Sequence, residues 1–205
     1  MRLFIAVPLP KELTDRAAAL LPPALPAIRP VRPELMHVTL AFLGWVGDEQ
    51  LDPAIEAARA AAAGQPAFDL AFTGAGRFPA TGKPRVVWLG IGDGADALAT
   101  LAGRVADELR ARGVRFDDRP FAPHLTLARV RPEVTGPEGR TIVAAVGALV
   151  LPDLRTRVDR IAVVESVLSP KGPRYTARAE APLASGASPR ARAARAPRSS
   201  PTPPR

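Results

Sequence analysis

The sequence predicts an α+β protein in which strands and helices are interleaved without strict strand-helix-strand alternation. Two observations carry that prediction. β-favouring runs such as RLFIAV and PRVVWLG are separated by alanine- and leucine-rich stretches of helical period. Two pairs of these runs, 68–73 with 84–90 and 158–168 with 174–181, are close enough in the chain to form hairpins. The composition agrees: 47% of the 205 residues are hydrophobic, enough for a sizeable core, yet no run reaches the ~18 apolar residues of a membrane span.

Taken in order, 2–7 reads as a strand ended by Pro8 and Pro10. The stretch 11–21 carries Leu13, Ala17, Leu20 and Leu21 at helical spacing before Pro22 and Pro23 stop it. Residues 36–43 form a second strand closed by Gly44, and Asp48 or Glu49 opens a helix to about Ala63. The runs 68–73 and 84–90 pair across a loop containing Gly74, Gly76, Pro79 and Gly82. Leu98, Leu101, Val105 and Leu109 lie on one face of a helix over 94–112, which Gly113 terminates. Strand 124–130, helix 140–149 and the final hairpin complete a body over 1–183. The segment 184–205, rich in Arg, Pro and Ser, has almost no apolar bulk and is expected to be a disordered tail.

The charge of +8 is unevenly placed: Arg190, Arg192, Arg195, Arg198 and Arg205 fall in the tail with no acid, so the body carries only +3. With no cysteine, disulfides, thiolate catalysis and Zn-thiolate or iron–sulfur sites are excluded. The start MRLFIAVPLP lacks the features of a secretory signal, so a cytoplasmic protein without membrane contact is expected.

The chain has two histidines, and both open the same motif, His37-Val38-Thr39-Leu40 and His124-Leu125-Thr126-Leu127. In a strand, His and Thr two apart share one face while the intervening apolar residues face the other way. Two imidazoles across a cleft, each beside a hydroxyl, suit in-line displacement at phosphorus. One neutral ring takes a proton from water, one protonated ring supplies the departing oxygen, and the hydroxyls of Thr39 and Thr126 bind the charge that builds on the nonbridging oxygens. Neither motif carries an acid at regular ligand spacing, so no metal and no cofactor is expected.

The segments RLFIAVPLP, RPELMHVTLAFLG, RVVWLG, RPFAPHLTLAR and SPKGPRYT, spanning 2 to about 176, resemble the two-histidine (2H) phosphoesterase superfamily. The narrower resemblance is to its RNA 2′,3′-cyclic phosphodiesterases, formerly called 2′-5′ RNA ligases. It implies a bilobal, pseudo-twofold fold with two antiparallel sheets lining a central cleft, helices outside and one H-x-T-x motif per lobe. It also implies His37 as proton donor to the leaving 3′ oxygen, His124 as proton acceptor from water, and a 2′-phosphate product. The two copies by themselves are nearly interchangeable and leave that assignment open. The partner implied is RNA or a nucleotide with a 2′,3′-cyclic phosphate end, bound by a monomer.

Position +5 after each histidine is Phe42 and Arg129, which suit a sandwich around the terminal base. An odd offset faces away from the histidine in a regular strand, so this requires a bulge near Ala41 and Ala128; without one Phe42 is core and Arg129 a surface charge. Tyr175 with Arg174 is a further candidate for the cleft edge, and Arg119 and Phe121 precede the second motif. Trp88, inside an apolar run, reads as core. Two other functions use the same cleft: ATP-independent RNA joining, in which an RNA hydroxyl replaces water, and noncatalytic nucleotide or RNA binding.

Overall fold

In a computed structural model of the chain, the described residues are 1–22, 25, 27–170 and 172–185. Their strands are β1 (Arg2–Pro8), β2 (Ile28–Pro30), β3 (His37–Trp45), β4 (Phe68–Phe78), β5 (Val86–Ile91), β6 (His124–Val130), β7 (Leu154–Val158), β8 (Arg160–Ser169) and β9 (Gly172–Pro182). The helices are α1 (Lys11–Ala18), α2 (Leu51–Ala62), α3 (Ala95–Ala111) and α4 (Gly136–Gly147). The strands run in the order β7-β4-β5-β6-β3-β1-β8-β9, with β2 attached to β6. Every named pairing is antiparallel.

The sheet is continuous in name only. Its middle strands β3 and β6 share a single pair, Val38 with Leu125, and diverge on either side of it. Two lobes result, β3-β1-β8-β9 and β6-β5-β4-β7, each with a histidine strand at its inner edge and the Val38–Leu125 pair at the pseudo-twofold axis. The α+β, bilobal expectation therefore holds, as two halves of one curled sheet.

β1 is buried on both faces, whereas β3 and β6 alternate along their motifs. Leu3, Ile5 and Val7 of β1 are fully buried, as are Val38 of β3 and Leu125 of β6. The helices supply the opposing apolar stripes: Ala54, Ala57, Ala58 and Ala61 of α2, and Leu98, Leu101, Val105 and Leu109 of α3. Small α2 residues allow close approach to α3 and to β8 and β9. At the end of α2, Arg104 donates to the Ala63 carbonyl at 2.6 Å, a cation on the negative end of that helix. Thr135 and Glu138 form a reciprocal capping box that starts α4 at Gly136, earlier than its apolar spacing predicted.

The sequence reading missed β2 and β7 and placed Gly74 and Gly76 in a loop, whereas both lie inside β4. Gly74 is the extra residue of a bulge and has φ +64, a conformation that glycine adopts without strain. At the far end, the Ala184 amide donates to Gln65 and its carbonyl accepts from Ala67, each at 2.8 Å, so ordered pairing continues one residue past 183. The rest of the expected tail, 186–205, lies outside the described residues.

Candidate active site

The Val38–Leu125 pair fixes the geometry of both motifs. Extending its antiparallel register sets Thr126 across from His37 and His124 across from Thr39, so four polar side chains stand on one face while Val38 and Leu125 point into the core. His37, Thr39, His124 and Thr126 all line one cavity of about 810 Å³.

The bulges required by the sequence argument are present and fall at equivalent places. On β3, Thr39 pairs with Ala6 and Ala41 with Ile5, leaving Leu40 unmatched. On β6, Thr126 pairs with Trp88 and Ala128 with Val87, leaving Leu127 unmatched. The last residue of each H-x-T-L motif is thus the inserted one, and Leu40-Ala41 and Leu127-Ala128 are consecutive buried residues. This shift of phase returns Phe42 and Arg129 to the cleft face, where both line the cavity. They leave the central pair in opposite directions along antiparallel strands, which sets them toward opposite ends of the cleft rather than face to face across one base.

Each imidazole is oriented by the same local bond. His37 Nδ1 lies 2.8 Å from the Leu35 carbonyl, and His124 Nδ1 lies 2.7 Å from the Ala122 carbonyl. A carbonyl only accepts, so both Nδ1 atoms carry hydrogen and both Nε2 atoms are left for chemistry. Burial pushes the His37 pKa below the ordinary 6.5; the Leu35 bond opposes this, while the positive charges of Arg129 and His124 reinforce it.

Aromatic walls flank the histidines differently. His37 stacks on Phe4 with centroids 4.6 Å apart, and Tyr175 meets both rings edge-on, at 5.5 Å from His37 and 5.0 Å from Phe4. His124 meets Phe78 edge-on at 5.0 Å, with Trp88 at 6.5 Å. Tyr175 is therefore at the cleft, as expected, but Trp88 is not core: it is half-buried on the cleft face opposite Thr126. Gly76 is the signal for this placement, since a Cβ there would lie 2.3 Å from Trp88 Cη2. Phe4 and Phe78 were not singled out either, because each lies on another strand, Phe4 on β1 beside β3 and Phe78 on β4 two strands from β6, and neither is the direct cross-strand partner of a histidine.

The weaker candidates are used elsewhere. Arg119 is held by Asp117 through its Nε at 2.8 Å and through Nη2, and Phe121 packs against the core. Arg174 is exposed and does not line the cavity. Arg29, which pairs directly with Arg129 across β2 and β6, does line it and was missed because β2 itself was not predicted. Among the described residues there is no cluster of three or more His, Cys, Asp or Glu able to hold a metal.

Comparison with known proteins agrees with this arrangement. An Archaeoglobus fulgidus protein named RNA 2′,3′-cyclic phosphodiesterase is 36% identical over 177 residues, covering 85% of this chain and 96% of its own. The crystal structure of a Thermus thermophilus protein superposes with a TM-score of 0.75 at 31% identity, covering 90% of this chain and 99% of that one. Escherichia coli LigT complexed with 3′-AMP gives a TM-score of 0.67 at 30% identity, over 89% of this chain and 98% of its own. The sequence profile of the 2′-5′ RNA ligase superfamily matches residues 9–169, and with its paired motifs in paired lobes the chain belongs to that family.

Proposed function

We propose that this protein hydrolyses RNA 2′,3′-cyclic phosphate ends to 2′-phosphomonoesters. The observation that carries the reading is the presence of two Nδ1-anchored imidazoles beside two threonines on one cleft face. With phosphorus between them, Nε2 of His124 takes a proton from water as the water oxygen bonds to phosphorus. The bond from phosphorus to the 3′ oxygen breaks, and Nε2–H of protonated His37 supplies that oxygen, leaving a 3′-hydroxyl and a 2′-phosphate. Thr39 and Thr126 donate to the nonbridging oxygens, whose charge grows in the five-coordinate transition state.

The depressed pKa of His37 bears on its role as donor. In the free protein burial and two cationic neighbours favour the neutral ring; an anionic phosphodiester in the cleft offsets those charges and favours the protonated one. Phe42 offers a ring face to the terminal base, and Tyr175 braces His37.

Acid, base and oxyanion donors are all side chains here, so turnover is expected to persist in EDTA. The deciding experiment incubates the protein, in EDTA, with an oligoribonucleotide ending in 2′,3′-cyclic phosphate and identifies the product. A 2′-phosphate supports the reading; a 3′-phosphate reverses the acid and base geometry, and a product joined to a 5′-hydroxyl strand assigns ligation instead. Phe42→Ala should raise the KM for cyclic nucleotides, and an unchanged KM removes the base-stacking role.

A further inference from the structure

The cleft face of β3 does not end at Phe42. Three residues on stands Trp45, 74% exposed, although tryptophan carries the largest apolar surface of any side chain and is highly buried on average. Its cross-strand partner is Arg2 of β1, and directly paired residues project to the same side of a sheet. Arg2 lines the cavity that holds the histidines, so Trp45 stands on the same face, just outside the cavity's lip. The Arg2 guanidinium lies 5.1 Å from the centroid of the Phe42 ring, and among the described residues no carboxylate pairs with it. The series Phe42, Arg2, Trp45 is therefore an aromatic ring, an unneutralised planar cation and a second, open aromatic ring, leading away from the reacting centre. Stacking faces interleaved with positive charge are what a single nucleic-acid strand requires: bases on the rings and the phosphodiester at the cation.

We propose that Trp45 and Arg2 form a second nucleotide subsite, in which Trp45 stacks the penultimate base of an RNA strand and Arg2 binds the phosphate joining it to the terminal nucleotide. This rests on the reading that the terminal cyclic phosphate sits between His37 and His124. It makes the preferred substrate an RNA end of two or more nucleotides rather than a free cyclic mononucleotide. Every base has a π face, so the subsite selects for length and not for sequence.

The test compares kcat/KM for a 2′,3′-cyclic mononucleotide and for a dinucleotide with the same terminal residue, in the unaltered protein, Trp45→Ala and Trp45→Phe. The unaltered protein should favour the dinucleotide by about tenfold or more. In Trp45→Ala the dinucleotide should lose about tenfold more than the mononucleotide, and Trp45→Phe should recover most of that difference. Equal losses on both substrates, or no preference to begin with, overturn the subsite. A second measurement does not depend on turnover: binding of a dinucleotide ending in 2′-phosphate should quench tryptophan fluorescence more than the matching mononucleotide does, and Trp45→Phe should abolish the excess. If neither cyclic substrate is hydrolysed the activity reading fails, while the quench still decides the subsite. Sedimentation showing that Trp45→Ala dissolves a dimer would overturn it too, by assigning the exposed ring to self-association.

Discussion

The His37 and His124 halves share a motif, a bulge at its fourth residue and a bond from Nδ1 to the carbonyl two residues back, yet they hold their imidazoles in different surroundings. His37 lies flat on Phe4 under the edge of Tyr175, whereas His124 meets Phe78 only edge-on. Arg129, carried by the His124 strand, acts on His37, so the cation of one lobe biases the ring of the other. Backbone symmetry thus places two equivalent groups, and the neighbouring strands make them inequivalent. Burial keeps the His37 ring below the ordinary 6.5 in the free protein, so this asymmetry opposes its role as proton donor until an anionic phosphodiester lies in the cleft.

The most severe way to break the symmetry is to remove one ring at a time. His37→Ala and His124→Ala should each lower turnover of the cyclic phosphate by about 10²–10⁴-fold. The double variant should fall little further, since acid and base act as a unit. The limb of the pH profile that disappears in each single variant identifies its role: loss of the fall at high pH marks the proton donor. Next in size, Thr39→Val and Thr126→Val keep the shape and remove one donor each, with an expected cost of about 10²-fold in kcat at little change in KM. Equal losses would mean the hydroxyls remain symmetric while the rings do not. A large rise in KM without loss of kcat would instead make them ground-state contacts.

The shared half of this comparison was legible in the sequence and the differing half was not. Period-2 patterning puts Thr39 beside His37 and Thr126 beside His124, and the odd offset of Phe42 and Arg129 demands a bulge, which the structure places at Leu40 and Leu127. Both follow from local geometry. What separates the two rings comes from residues far away in the chain, such as Phe4 under His37 and Phe78 beside His124, and cross-strand register cannot be read from one strand. Trp88 misled for a related reason. An apolar run reads as core on both faces, and only Gly76 on the adjacent strand, itself taken for a loop residue, leaves room for the indole on the cleft side.

The environment of His37 gives a subtler test. Phe4→Ala opens the buried face of the ring and should move its titration midpoint up toward 6.5, followed by the imidazole proton resonance against pH. Arg129→Ala removes one repulsive cation and should move it the same way by less, because burial is the larger cause. A downward movement in either variant would contradict the assigned causes.

The smallest effect is on stability. In the folded protein His37 has its pKa below 6.5, so as pH falls through 6.5 the unfolded chain takes up a proton first. Stability from this group is complete above 6.5 and declines as pH drops from there toward the folded value, because the unfolded state binds more protons in that window. Denaturant unfolding between pH 7.5 and 5 should therefore show a steeper loss for the unaltered protein than for His37→Leu, which has no proton to bind at that position. Parallel curves would place His37 in a solvated setting like that of an unfolded chain, and the difference between the two lobes would then have to be sought in the bound complex rather than in the free protein.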